Sequence, residues 1–260
     1  MFESSSGYYP NNRRTLQNEV ERLLRGKPSP GTVPKAIIAP HGNLNDCGEI
    51  LGKLYAAVDL ESFNNVVILC PSPVKTGPEL GFVDESFRTP LGDLSVDTAM
   101  ISELKMTELF EKRDDLLHLS SVEMQLVFLQ MLKQDFRIIP ITVSEDVSEE
   151  KLERGMRLLR KFINPQDLVI ACSNMAEGSD TSEKEIQKRD SELIDILRDG
   201  DTERFAEKSK EFQVDGSRAV LAGLKLIDGY SNVHVLGHRA RTPEKILKTT
   251  TTGYAGLCLE

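Results

Sequence analysis

A histidine at the end of a short apolar run, two cysteines in the same kind of place, and carboxylates and hydroxyls after later runs are the groups in this sequence that could do chemistry. His41 follows Ala36-Ile37-Ile38-Ala39-Pro40. The run reads as a buried strand, and Pro40 ends it because proline cannot donate to a sheet ladder. A histidine there could serve as half of an acid/base pair or as a metal ligand. The plainer alternative is a loop histidine that hydrogen-bonds a neighbouring carbonyl. Cys70 and Cys172 close two further apolar runs, where cysteine behaves as a small apolar residue unless a base is set beside it. His118, His234 and His238 precede a helix or flank the last strands, and the sequence sets none of them beside either thiol. Ser72 sits between Pro71 and Pro73, Ser120 and Ser121 precede a helical pattern, and Ser173, Asn174 and Glu177 follow the run that ends at Cys172. Asp215 opens a late helix, where the dipole favours a carboxylate. For Glu177 and Asp215 the alternatives to catalysis are a loop carboxylate and a helix cap.

These groups need elements to hold them. Val66 to Cys70, Arg137 to Val143 and Leu168 to Cys172 join Ala36 to Ala39 as continuous apolar runs with flanking turn residues, the pattern of strands covered on both faces. Around them the apolar spacing turns helical: after Asn11-Asn12, a pattern in which Leu16, Val20, Leu23 and Leu24 share a face, then Glu49 to Leu60, opened by Gly48, then a helix beginning at Asp97. A further helix runs from Ser120 or Ser121, expected as its cap, through Leu132. Charged helices follow at 148 to 163 and over 181 to 212, the latter broken at Asp199-Gly200-Asp201, and one more spans Arg218 to Asp228. Residues 26 to 34 are a Gly/Pro-rich connector, 87 to 93 a hairpin excursion, and Val233 to Gly237 and Thr251 to Leu259 the last strands. Alternation of this kind predicts an α/β protein, a three-layer α/β/α sandwich with a largely parallel central sheet and some antiparallel pairing near 80 to 95 and at the C-terminus. Ligands collect outside the carboxyl ends of strands in such sheets, which is where His41 and the later polar groups fall.

No shift of composition marks a boundary, so residues 1–260 are read as one domain. The 32 Lys and Arg against 41 Asp and Glu leave a net charge of -9, which argues against nucleic acid or an anionic membrane surface as a partner. Four scattered cysteines without paired metal spacing suit reduced thiols in a cytoplasm, and no stretch is apolar for the roughly 18 residues a bilayer span needs. The chain lacks a Walker loop, Gly-x-Gly-x-x-Gly, Gly-x-Ser-x-Gly and His-Glu-x-x-His, so the nucleotide, α/β-hydrolase and zincin readings are weak.

Several stretches carry a resemblance. Tyr8-Tyr9-Pro10, Ala39-Pro40-His41 through Gly48, Thr89-Pro90-Leu91-Gly92 with Asp97, the run Ser121-Val122-Glu123-Met124-Gln125-Leu126-Val127-Phe128-Leu129, and the closing Gly253-Tyr254-Ala255 together resemble the motifs of the Memo family. That family's fold is similar to that of the class III non-haem iron extradiol dioxygenases. The resemblance implies a pocket lined by His41, Pro73, Ser120, Asn174, Glu177 and Asp215. It also implies what has been lost. The family's metal pocket uses the histidine of Pro-His, a histidine after the second strand and a cysteine heading a late helix. Only His41 matches, with Pro73 and Asp215 at the other two positions. Ser120, Asn174 and Glu177 likewise stand where the family has a histidine, an aspartate and a histidine.

Three functions are therefore expected in order. The first is a Memo-like protein without catalysis, acting through binding or as a subunit of an assembly with a protein partner, and with no cofactor. The second is an enzyme with a site rebuilt around His41 and Asp215, to which Glu177 is a candidate addition, working either as an acid/base pair or as a metal-dependent redox or dioxygenase-like site with iron or copper. The third is a thiol enzyme using Cys70 or Cys172.

Overall fold

The computed structural model describes residues 7–25, 33–73, 77–113, 119–227, 229–242 and 250–260; His118 and most of the connector at 26 to 34 lie outside them. The first half of the chain forms α1 (Arg13–Leu24), β1 (Ala36–Ala39), α2 (Leu44–Ala57), β2 (Asn65–Pro71), β3 (Leu80–Phe82), β4 (Phe87–Thr89), β5 (Gly92–Leu94), α3 (Thr98–Lys105) and β6 (Glu111–Lys112). The second forms α4 (Ser120–Leu132), β7 (Arg137–Val143), α5 (Glu149–Leu159), β8 (Asp167–Cys172), β9 (Glu177–Ser179), α6 (Glu183–Asp199), α7 (Thr202–Glu211), α8 (Ser217–Ile227), β10 (Val233–Arg241) and β11 (Thr250–Leu259).

The four apolar runs are neighbours at the centre of the sheet, in the order β1, β8, β2, β7, and all three pairings are parallel. Antiparallel strands flank them: β11 and then β10 beside β1, and β3 beside β7. Among the described residues the main sheet has nine strands, and β4 and β5 form a separate hairpin pinned by an Arg88 to Asp93 ion pair at 2.8 Å. Helices cover both faces. The side chains of Leu69 and Ala171 meet α8 near Gly223, while the next residues along, Cys70 and Cys172, point the other way toward α4, as the two-residue period of a strand requires. On the α4 face Tyr55 of α2 stacks on Phe128 with ring centroids 5.6 Å apart, and α1 closes over α2 and α4. The fold is thus the α/β sandwich that the alternation of runs implies. Among the described residues no helix is long and apolar enough to cross a membrane.

Local signals set the helix ends. Asp97 accepts from the Met100 N–H, as a cap should, and Gly200, left-handed at φ +71°, ends α6 so that Asp201 can cap α7 through the Arg204 N–H. Two expectations need correction. Helix α2 starts at Leu44 with Asn43 as its cap, not at Gly48: the expected polar turn is the helix's first turn, and Gly48 lies inside it because a Cβ there would meet Leu23 Cδ1 at 2.9 Å. Neither Ser120 nor Ser121 caps α4. Leu119 holds the cap position without a side-chain bond, and its carbonyl takes the N–H groups of Val122 and Glu123.

Candidate functional site

Strand β1 ends at the carboxyl edge of the sheet and places His41 there. The backbone N–H of His41 donates to Asn174 Oδ1 at 3.1 Å, beyond the end of the neighbouring strand β8. The Asn174 N–H in turn donates to the Asp215 carbonyl at 2.9 Å, and the Ser173 hydroxyl donates to the same oxygen at 3.0 Å. Three distant segments are thereby fixed to one another around a single cavity of about 310 Å³, with His41, Pro73, Ser120, Asn174, Glu177 and Asp215 all on its wall.

Tyr8, Ser72, Ser121, Thr252 and Tyr254 line the same cavity; Ser72 and Ser121 are among the hydroxyls the sequence offers, while Tyr8, Thr252 and Tyr254 are not site candidates there. Thr252 and Tyr254 come from β11. That strand runs antiparallel to β1, so its beginning rather than its end lies beside His41. Thr252 donates from Oγ1 to Glu177 Oε1 at 3.2 Å, across the β9 to β11 ladder. Glu145, at the polar end of β7, is a second unmarked participant. Its carboxylate accepts from the Gly216 N–H at 3.2 Å and the Ser217 hydroxyl at 2.7 Å, so Glu145 occupies the head of α8. The cap alternative for Asp215 is therefore replaced: its carboxylate turns toward His41 instead, with Oδ2 3.5 Å from Nε2.

The electrostatics follow from burial. His41 is 8% exposed, and its Nε2 is buried without a hydrogen-bond partner. Desolvation lowers the imidazole pKa and the Asp215 charge opposes that in part, so the ring is neutral at physiological pH. Glu177 is raised, first by burial and then by Asp215, with Thr252 working the other way; Glu145 is raised mainly by burial as well. The Asp215 side chain is 46% exposed and opens the group to solvent.

The raised Glu177 value has a consequence for stability. A carboxyl that is harder to ionise when folded contributes stability fully below its unfolded value of 4.5, and loses it as pH rises through the folded value. Glu177→Gln removes that ionisation. It is expected to raise the melting temperature by a few degrees near pH ~7, roughly the effect of 1 kcal/mol or less, and to leave it unchanged near pH ~4. Thermal unfolding followed by circular dichroism at both pH values checks this, and an equal or lower melting point at neutral pH contradicts it.

The thiols sit elsewhere. Cys70 and Cys172 are fully buried under α4; Cys172 donates to the Ser121 carbonyl at 3.5 Å and Cys70 to the Ile141 carbonyl at 3.4 Å. Burial pushes Cys70 up to about 12 and Cys172 well above its ordinary value, the opposite of what a nucleophile needs. His238 pairs with Asp190, and His234 lies against Asn232 and Glu260, both away from the cavity. Among the described residues no three His, Cys, Asp or Glu side chains gather in a way that could hold a metal ion.

A family model described as Memo-like protein matches residues 4–258. A MEMO1 family protein of Aquifex aeolicus is 26% identical over 267 residues, covering 96% of this chain and 70% of its own. Protein MEMO1 of Rattus norvegicus is 31% identical over 182 residues, 65% of this chain and 60% of its own. The crystal structure of an uncharacterized protein from Escherichia coli K12 shares the fold at a TM-score of 0.52 and 11% identity, over 88% of this chain and 100% of that one.

Proposed function

We propose that this chain, which belongs to the Memo family, is a binding member of that family whose strand-end pocket receives a small polar ligand, free or carried by a protein partner, without metal-dependent chemistry. One observation carries the reading: the pocket is an open cavity of about 310 Å³ with hydroxyl, amide and carboxylate groups on its wall, while its nitrogen and sulfur donors for a transition metal reduce to a single imidazole. A pocket that had merely decayed would be free to fill with apolar side chains. Here Ser72, Ser120, Ser121, Asn174, Thr252 and the two carboxylates keep it polar. A non-haem iron triad needs two histidines and a carboxylate, and a copper site needs soft or imidazole ligands. Pro73 brings no donor atom from its side chain, and Asp215 is a hard ligand. These residues do not fit the iron or copper that the family resemblance implies.

A second reading rests on the 3.5 Å approach of His41 Nε2 to Asp215 Oδ2. An imidazole and a carboxylate so placed are the parts of an acid/base pair, as in an enzyme rebuilt on the old scaffold. Elemental analysis separates the two from metal-dependent chemistry. After exposure to iron, copper or zinc and desalting, the protein and its His41→Ala variant are both expected to hold only trace metal. Their melting points should lie within a few degrees, because removing a buried ring nitrogen that has no partner relieves a desolvation cost and offsets part of the packing lost. Near-stoichiometric metal that disappears in His41→Ala would overturn the proposal.

A further inference from the structure

The chemistry of the cavity wall narrows the ligand. Among its described residues are two carboxylates, Asp215 and Glu177, and no lysine or arginine. Arg113 is buried, donates from Nη1 to Ser72 Oγ at 3.3 Å, and is not itself among the wall residues. Glu145 adds a third carboxylate behind Asp215, at the head of α8. An acidic cluster alone says little, but here a second and independent feature points into it: His41 Nε2 is buried, lacks a hydrogen-bond partner and faces Asp215. A buried polar atom without a partner is a costly thing to keep, and a ligand that supplies the missing bond removes the cost.

From this juxtaposition we infer that the pocket binds a primary ammonium group, held between the Asp215 and Glu177 carboxylates and the unpartnered Nε2 of His41. This rests on the reading of the cavity as a binding site and names its ligand class. An alkylammonium has three N–H donors and no acceptor, which matches three acceptors from three segments of the chain. A hydroxyl or amide ligand would leave two carboxylates uncompensated. An anion would meet them directly. Glu177 and Glu145 are raised first by burial, and the Asp215 charge adds to both. The volume lies at the small end of the range for ligand sites, so it suits the head group and a few methylenes rather than a nucleotide or flavin. Tyr8 and Tyr254 on the wall offer aromatic surface for those methylenes and for the charge.

The group could come from a free amine or from a lysine side chain of a partner. Calorimetric titration with n-butylammonium tests the first, and titration with a short peptide carrying one central lysine tests the second. Butan-1-ol and the same peptide with acetylated lysine are the neutral counterparts. One ammonium probe is expected to bind one per chain at least about tenfold more tightly than its neutral counterpart, and Asp215→Asn is expected to weaken it by about tenfold or more. Asp215 is half exposed, so the variant should fold, which circular dichroism verifies; Glu177→Gln gives a second, smaller loss. Failure of both ammonium probes to bind, equal binding of the neutral counterparts, or undiminished binding by Asp215→Asn overturns the inference. Neutral probes that bind and shift the His41 ring resonances would overturn the ligand class and leave the pocket a receptor. Stoichiometric metal dependent on His41 would remove both readings.

Discussion

Asp190→Ala is expected to destabilise the protein by about 3 kcal/mol or more, the largest loss from any single polar truncation near the pocket. Asp190 lies on α6 and is fully buried. Its Oδ1 accepts from the Ala176 N–H at 2.8 Å, and its Oδ2 lies in a 2.8 Å hydrogen bond with His238 Nε2. Burial raises this carboxyl, and the bonds to His238 and Ala176 counter the shift, so the charge is tolerated only because its partners are in place. Truncation leaves a buried backbone N–H and an imidazole without their acceptor, and each carries a desolvation cost. The site is sized for the carboxylate as well: a Cβ at Gly253 would lie 2.1 Å from Asp190 Oδ2. Asp190→Asn keeps the acceptor for Ala176 and the volume under Gly253, and should lose clearly less. Urea unfolding of the three proteins decides the matter, with the midpoint falling in Asp190→Ala and the slope unchanged. A loss below about 1 kcal/mol would mean that water replaces the carboxylate and that the network is not a brace.

The brace matters to the pocket because Ala176 precedes Glu177, whose own N–H is held by the Phe212 carbonyl at 2.8 Å. None of this is visible in the sequence, where Asp190 is one of many charges on a charged helix. What is visible there has a common physical basis. Strands β1, β2, β7 and β8 are buried on both faces, so their apolar runs are unbroken and stand out. The Ser121 to Leu129 run is legible for a related reason: Gln125, fully buried, accepts from the Tyr55 hydroxyl at 2.8 Å and donates to the Pro40 and Ser121 carbonyls, binding α4 to the end of β1 just before His41. The six marked wall positions come from strand ends and from the family resemblance, and the structure brings them to one cavity. Thr252 and Tyr254 escape a rule that looks only at carboxyl ends, since they arrive on an antiparallel strand at its amino end; Glu145 lies at the carboxyl end of β7, but its partner at the head of α8 is 71 residues away in the chain. Capping departs from local preference where tertiary contacts override it: Glu145 takes the head of α8 from Asp215, and Leu119 rather than a serine holds the cap of α4.

The second large effect is expected at Gly216, which joins Asp215 to α8. Gly216→Ala should cost about 3 kcal/mol or more and should also separate Asp215 from His41. Two independent terms contribute. The backbone there is left-handed at φ +97°, which a residue with a Cβ adopts only at a cost of about 1–2 kcal/mol. The added Cβ would also lie 2.4 Å from the Cys172 carbonyl oxygen and 2.9 Å from Ser173 Cα. Those are backbone atoms at the end of a central strand and cannot swing aside, so the helix start must move, at about 1–3 kcal/mol for overpacking. Gly200→Ala isolates the first term, since Gly200 is left-handed at φ +71° with nothing within 4 Å of the added Cβ. That variant should lose only about 1 kcal/mol. The site gives a second readout that plain destabilisation would not move. The Asp215 carbonyl holds the Asn174 N–H and the Ser173 hydroxyl, and its carboxylate raises the His41 pKa against the effect of burial. If Gly216→Ala displaces that carboxylate, the His41 ring should titrate at lower pH than in the unaltered protein, as followed by NMR on samples still folded. The stability contribution tied to keeping His41 neutral, present above about 6.5 and lost as pH falls through the folded value, would then shift down with it. An unchanged His41 titration together with a loss no larger than that of Gly200→Ala would show that the close approach of Gly216 to β8 does not hold Asp215 in the pocket.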